Sequence, residues 1–181
     1  KSATPKVLHS VAGRSLLGHV VHAVSQLNPS EVRIVVGSGR EAVEAHIAQI
    51  APKATTVFQE QRNGTGHAAQ LALAGTTPKG TVLILAGDTP MLTGDSLAQF
   101  VTAHAAGKFA ASVLTAEHPE PIGYGRIIRD ESDELLRIVE EKDATEDERL
   151  VRIVWSGFMI FDAELLRSYL PKLNNNNSQN E

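Results

Sequence analysis

Thr81-Val82-Leu83-Ile84-Leu85-Ala86-Gly87-Asp88-Thr89-Pro90 joins an apolar run to a polar, glycine-containing exit. Residues 81–85 are β-branched or aliphatic and flanked by Gly80 and Gly87, which predicts a short, buried, central strand. Working outward, segments of two kinds alternate. Ser15 is placed to cap a helix with the apolar stripe Leu16, Leu17, Val20, Val21, Val24 and Leu27, and Pro29 ends it. Val32–Val36 and Thr55–Phe58 read as strands, Glu41–Ile50 and His67–Ala74 as helices. Beyond the central strand, Asp95–Ala106 reads as a helix and Ala110–Thr115 as a strand. Strands alternating with helices at this spacing predict an α/β, Rossmann-like domain with a mostly parallel sheet flanked by helices. Only 4% of residues are aromatic, so Val, Leu, Ile and Ala must build the core.

The pattern changes after residue 118. Gly125–Arg129 and Leu135–Val139 predict paired strands around Asp130-Glu131-Ser132-Asp133. Ile153–Phe161 predicts a further strand, and Asp162 is suited to cap a last helix through Leu170. Residues 118–161 therefore read as an insertion on the ligand side of a single domain spanning 1–173. The Asn-rich residues 174–181 read as a polar tail.

The chain has 181 residues, a formal charge of −4 and no cysteine. It has no basic cluster of the kind that nucleic acid requires. No apolar run reaches the roughly 18 residues of a membrane span. The absence of cysteine excludes disulfide scaffolds and Cys-zinc sites and fits a cytoplasmic location.

Ligands of an open α/β sheet bind beyond the carboxyl ends of its strands, and two polar motifs fall at such ends. In Ala86-Gly87-Asp88-Thr89-Pro90, glycine permits close backbone approach and Asp88 offers a carboxylate. That carboxylate can hold Mg²⁺ together with substrate phosphates, or it can cap a turn. In Gln59-Glu60-Gln61-Arg62-Asn63-Gly64-Thr65-Gly66-His67, helix-start amides can face an anion or a base carbonyl, and Gln59 offers a donor and an acceptor to a pyrimidine edge. An ordinary glycine-containing connection is the alternative. Lys6 is either a phosphate counter-charge or a surface lysine. Gly123-Tyr124-Gly125-Arg126 is either a sugar-contacting turn or the start of a hairpin. Glu140 can accept from sugar hydroxyls, although Glu140-Glu141-Lys142-Asp143 also reads as a solvated face. His67 reads as shaping its loop or packing at the helix start rather than as a base.

Taken in order, Thr4-Pro5-Lys6-Val7-Leu8, Gln59 with Gly64-Thr65-Gly66-His67-Ala68, Gly87-Asp88-Thr89-Pro90, Gly123-Tyr124-Gly125-Arg126-Ile127 and Val139-Glu140-Glu141-Lys142-Asp143-Ala144 resemble one family over nearly the whole chain. It is the N-terminal domain of the bacterial bifunctional N-acetylglucosamine-1-phosphate uridylyltransferase / glucosamine-1-phosphate acetyltransferase. The resemblance implies a nucleotide-diphospho-sugar transferase fold lacking its first strand. It implies that UTP and N-acetylglucosamine 1-phosphate become UDP-N-acetylglucosamine and pyrophosphate, with Mg²⁺ as cofactor, for cell-wall precursor synthesis. Lys6 would contact phosphates. Gln59, Gly64 and Thr65 would read the uracil, and Ala86 and Gly87 would line the nucleoside site. Asp88 would bind the metal, and Gly125 and Glu140 would hold the sugar. The resemblance also implies a homotrimer formed through a C-terminal domain that this chain lacks. Trp155 departs from the family, which has a sugar-contacting Asn at that place.

Overall fold

The structure, a computed structural model, describes residues 3–61 and 63–173. The polar tail expected at 174–181 lies outside the described residues. After a 3₁₀ turn at Lys6–Leu8 come a minimal hairpin, β1 (Ser10–Val11) and β2 (Arg14–Ser15), and helix α1 (Leu16–Ser25). The Ser15 hydroxyl accepts from the Gly18 amide at 2.9 Å, which is the cap the sequence foretold. Strand β3 (Arg33–Val36), helix α2 (Arg40–Ile50), strand β4 (Thr55–Phe58) and helix α3 (Gly64–Leu73) follow. β5 (Thr81–Ile84), α4 (Gly94–Gly107) and β6 (Ala111–Glu117) come next. β7 (Arg126–Arg129), β8 (Leu135–Val139), α5 (Glu146–Arg149), β9 (Ile153–Asp162), α6 (Ala163–Tyr169) and a closing 3₁₀ turn complete the order.

The α/β architecture is as read, but the strand directions correct the expectation of a mostly parallel sheet. β3 and β4 pair in parallel as a two-stranded sheet. The other sheet has five strands, and every ladder in it is antiparallel. One of these ladders is the β7–β8 hairpin, and the other three all involve one reversed strand. β9 lies between β5 and β6 and runs opposite to both, so β5 and β6 point the same way without touching.

The core is correspondingly in two parts. Leu17, Val36, Val43 and Ile47 join α1 and α2 to β3. Ala69, Leu166 and Leu170 join α3 and α6 to Val82, Ile84 and Phe161. Leu97 of α4 and Ile160 of β9 are fully buried. The expected central strand β5 is hydrogen-bonded along one edge only, and none of its residues is fully buried.

One irregularity shapes the ligand side. β6 pairs with β9 in register from Ala111↔Phe161 to Leu114↔Phe158, then resumes at Thr115↔Trp155. Ser156 and Gly157 are the extra residues of this bulge. Ser156 Oγ stitches it by donating to Leu114 O at 2.6 Å and accepting from Phe158 N at 3.3 Å.

Candidate functional site

β6 occupies one edge of β9. β5 and β7 share the other edge end to end, β5 reaching Met159 and β7 beginning opposite Val154. The chain leaving β5 continues toward the bulge, so a Cβ on Gly157 would lie 3.6 Å from Ala86 Cβ. The chain entering β7 meets the same strand, with Trp155 N donating to Gly125 O at 2.9 Å. Ala86 and Gly125 thus face positions of β9 two residues apart, at most about 7 Å along the strand.

Asp88 sits just past Ala86, where Thr89 Oγ1 closes the turn onto Ala86 O at 3.1 Å. Its Oδ2 is 2.5 Å from Lys6 Nζ. Packing beneath brings the two together. A Cβ on Gly87 would stand 3.5 Å from Leu17 and 3.9 Å from Val7, so the strand exit rests directly on the segment that carries Lys6. Pro5 lies against Gly39, whose left-handed backbone (φ +68°) opens α2; a Cβ there would be 2.4 Å from Pro5 Cγ. The 4–8 segment therefore bridges the carboxyl ends of β3 and β5. The Lys6 side chain is 77% exposed and that of Asp88 28%, so both can reach a ligand.

Among the described residues, no group of three or more His, Cys, Asp or Glu could hold a metal. A divalent cation at Asp88 would need ligand oxygens to complete its shell, the usual arrangement for Mg²⁺ with phosphates. The residues fit such an ion: the donor is a hard oxygen, and it already holds a cation, the Lys6 ammonium.

Gln59 and the glycine-rich segment form a second group. Gln59 N donates to Val36 O at 2.9 Å, fixing it at the end of β4. Its Nε2 donates to Gly64 O at 3.1 Å and lies 3.2 Å from His67 Nδ1, which is 3.1 Å from Gln61 O. Gln59 Nε2 thus spends one hydrogen on its own loop, which holds the side-chain amide against the glycine-rich segment. His67 shapes this loop, as read. The helix begins earlier than expected: Gly64, Thr65 and Gly66 form the first turn of α3 rather than a loop, because Gly64 (φ +84°) turns the chain in one residue. Asn63 makes no side-chain cap there.

The third group lies at the β7–β8 hairpin. A Cβ on Gly125 would be 3.3 Å from Glu140 Oε1 and 3.2 Å from Ile138 Cγ2. Arg126, beside it, is 1% exposed. Its guanidinium donates to Tyr124 O and, at 2.6 Å, to Glu141 Oε2, which also accepts from Gly123 N at 3.2 Å. Arg149 approaches Glu141 Oε1 at 3.5 Å. Hydrogen bonds from Arg126 and Gly123 hold the Glu141 carboxyl below its ordinary 4.5. The segment that could also read as a solvated face therefore contributes the partly exposed partner of a buried arginine. The sequence signal for it was Arg126 directly ahead of the apolar pair Ile127-Ile128. The Trp155 indole Nε1 and Arg126 Nε are buried without hydrogen-bond partners.

A model of the MobA-like NTP transferase domain matches residues 1–153. The chain belongs to this family. As an NTP transferase domain it is similar to the bifunctional protein GlmU of Streptomyces coelicolor, 49% identical over 184 residues, covering all of this chain and 38% of that protein. The GlmU of Alkaliphilus metalliredigens is 46% identical, again over the whole chain and 39% of its length. The chain thus spans about two fifths of these relatives. Among solved structures, HddC from Yersinia pseudotuberculosis matches with a TM-score of 0.72 at 15% identity, covering 93% of this chain and 72% of that one. An apo UDP-glucose pyrophosphorylase matches with 0.71 at 17% identity, covering 98% and 75%. At these identities the likeness speaks for the fold.

The fold of this NTP transferase domain thus gathers the sequence-derived candidates into three contact groups: Lys6 with Asp88, Gln59 with Gly64, and Gly125 with Glu140. β9 joins the first to the third through Ala86 and Gly157. Gly87 serves in packing, and Thr65 stands exposed on the first turn of α3. No helix among the described residues is long and apolar enough to cross a membrane.

Proposed function

We propose that this domain transfers a uridylyl group from UTP to N-acetylglucosamine 1-phosphate, forming UDP-N-acetylglucosamine and pyrophosphate in the cytoplasm. Its relatives carry the name GlmU, and a pyrophosphorylase shares its fold. The observation that carries the reading is local. Ala86 and Gly125 meet one edge of β9 two residues apart, with the Lys6–Asp88 pair at the exit of β5. A nucleotide and a sugar phosphate held at the two would have their phosphates beside Lys6.

The chain's own groups then have distinct tasks. Gln59 Oε1 accepts from the uracil, with the Gly64 and Thr65 amides beside it. Ala86 and Gly87 give a flat wall for the nucleoside. Glu140 accepts from sugar hydroxyls next to Gly125. Lys6 leaves Asp88 for the phosphates, and Asp88 would hold Mg²⁺, which when bound neutralises phosphate charge. The sugar phosphate oxygen attacks the α-phosphorus in line, breaking the bond to pyrophosphate with no covalent enzyme intermediate. Catalysis is then positioning and charge neutralisation. The homotrimer belongs to a further domain of the intact protein.

The test is formation of UDP-N-acetylglucosamine and pyrophosphate from UTP, N-acetylglucosamine 1-phosphate and Mg²⁺, with calorimetric binding of UDP-N-acetylglucosamine alongside. Asp88→Ala should lower turnover at least about 100-fold. Full activity in that variant would remove Asp88 from the mechanism, and neither turnover nor binding would remove the reading.

One observation favours a second reading. Trp155, whose backbone amide meets Gly125, carries a half-buried ring where the resemblance expects a sugar-contacting Asn. A related transferase using another sugar or base would show as higher turnover with a different partner in a panel of nucleoside triphosphates and sugar phosphates.

A further inference from the structure

Glu140 and Gly125 can hold a sugar only if the gap between them is fixed, and neither fixes it alone. Gly125 has no side chain, and Glu140 follows the last residue of β8. Their chain neighbours supply the fixture. Arg126 and Glu141 are each one residue further on, Arg126 opening β7 with its side chain buried and Glu141 lying just past the end of β8. There the buried guanidinium ties Tyr124 O, just before Gly125, to Glu141, just after Glu140. The same carboxylate oxygen takes the Gly123 amide. Three bonds therefore tie the backbone just before Gly125, and the Arg126 side chain just after it, to the carboxylate of the residue that follows Glu140. The Trp155 amide pins Gly125 from β9.

We propose that Arg126 and Glu141 are positioning residues for sugar recognition, a clamp that sets the Gly125–Glu140 gap without touching the ligand. This deepens the functional reading above and rests on it. A buried arginine is a costly way to hold a hairpin, since taking its charge out of water is expensive and an apolar pair of similar volume commonly does as well. What an apolar pair would not supply is a fixed distance: the planar fork holds the Tyr124 carbonyl and the Glu141 carboxylate at set geometry.

The experiment uses Glu141→Ala and Glu141→Gln. Glutamine keeps an oxygen for the Arg126 fork; alanine does not. Two readouts are taken on the full chain: hydrogen exchange of the Trp155 amide, and calorimetric binding of UDP-N-acetylglucosamine and of UDP. With alanine, the Trp155 amide should exchange faster. UDP-N-acetylglucosamine should bind about tenfold more weakly, while UDP changes by less than about twofold. Glutamine should restore most of both. An unchanged Trp155 amide, or equal losses for the two ligands, overturns the clamp while leaving uridylyl transfer intact. Wild-type chain that binds UDP but not UDP-N-acetylglucosamine would overturn the sugar reading itself, and the clamp's role with it.

Discussion

At the scale of single residues, the Lys6–Asp88 pair makes the metal site conditional. A carboxylate already satisfied by an ammonium at 2.5 Å is a poor cation ligand until something else takes the ammonium. Lys6→Met should therefore tighten binding of Mn²⁺ to the nucleotide-free chain by roughly two- to fivefold, the strength of a largely exposed ion pair. Asp88→Asn should abolish it in either background. Titration followed by electron paramagnetic resonance reads both, and equal Mn²⁺ affinity in wild type and Lys6→Met would show that the lysine does not compete. Glu141 gives a second prediction. Its folded carboxyl titrates below 4.5, so the unfolded chain takes up the proton first. The stabilisation is fully present above 4.5 and is lost as pH falls through the lowered folded value. Urea midpoints measured from about pH 6 down to 3 should fall more steeply for wild type than for Glu141→Gln. Asp88 was legible as a strand-end carboxylate. The Glu141 partnership was not, because nothing in a run of charges says which member turns inward.

At the scale of elements, most of the longer helices and strands were legible to within a residue or two, because caps and apolar periods are local, while the start of α3 and the short β1–β2 hairpin were not. Ser15 and Asp162 both cap as the sequence indicates. α5 was not foreseen; it is one turn long and depends on a capping box between Thr145 and Glu148. Thr145→Ala should cost about 1 kcal/mol, read in the urea midpoint. Gly39 belongs at this scale too, since it joins β3 to α2 and receives Pro5. Gly39→Ala would force a side chain into a left-handed position 2.4 Å from Pro5. A loss of about 1–2 kcal/mol is expected, and nucleotide binding should weaken with it, because displaced Pro5 carries Lys6 away from Asp88. Unchanged binding in a folded Gly39→Ala chain would show that the 4–8 segment positions nothing.

At the scale of the whole molecule, strand direction was the part that sequence could not carry. β9 reads as one more β-rich run, and its reversal depends on contacts with β5 and β6 far away in the chain. Loop lengths favoured parallel crossovers, and tertiary pairing overrode them. The two-part core predicts uneven protection. The β9 amides between Met159 and Phe161 are flanked by strands on both sides and should exchange most slowly, and those of the two-stranded β3–β4 sheet sooner. Ile160→Ala, at the centre of β9, should cost about 2–5 kcal/mol.

The Ser156–Gly157 bulge makes β9 a ruler with its graduation set by residue count. Ala86 reads one mark and Gly125 the next, so a substrate bridging them must match that interval. Removing one residue between the marks would do more than shorten the interval. It would turn Trp155 and everything before it in the strand to the opposite face.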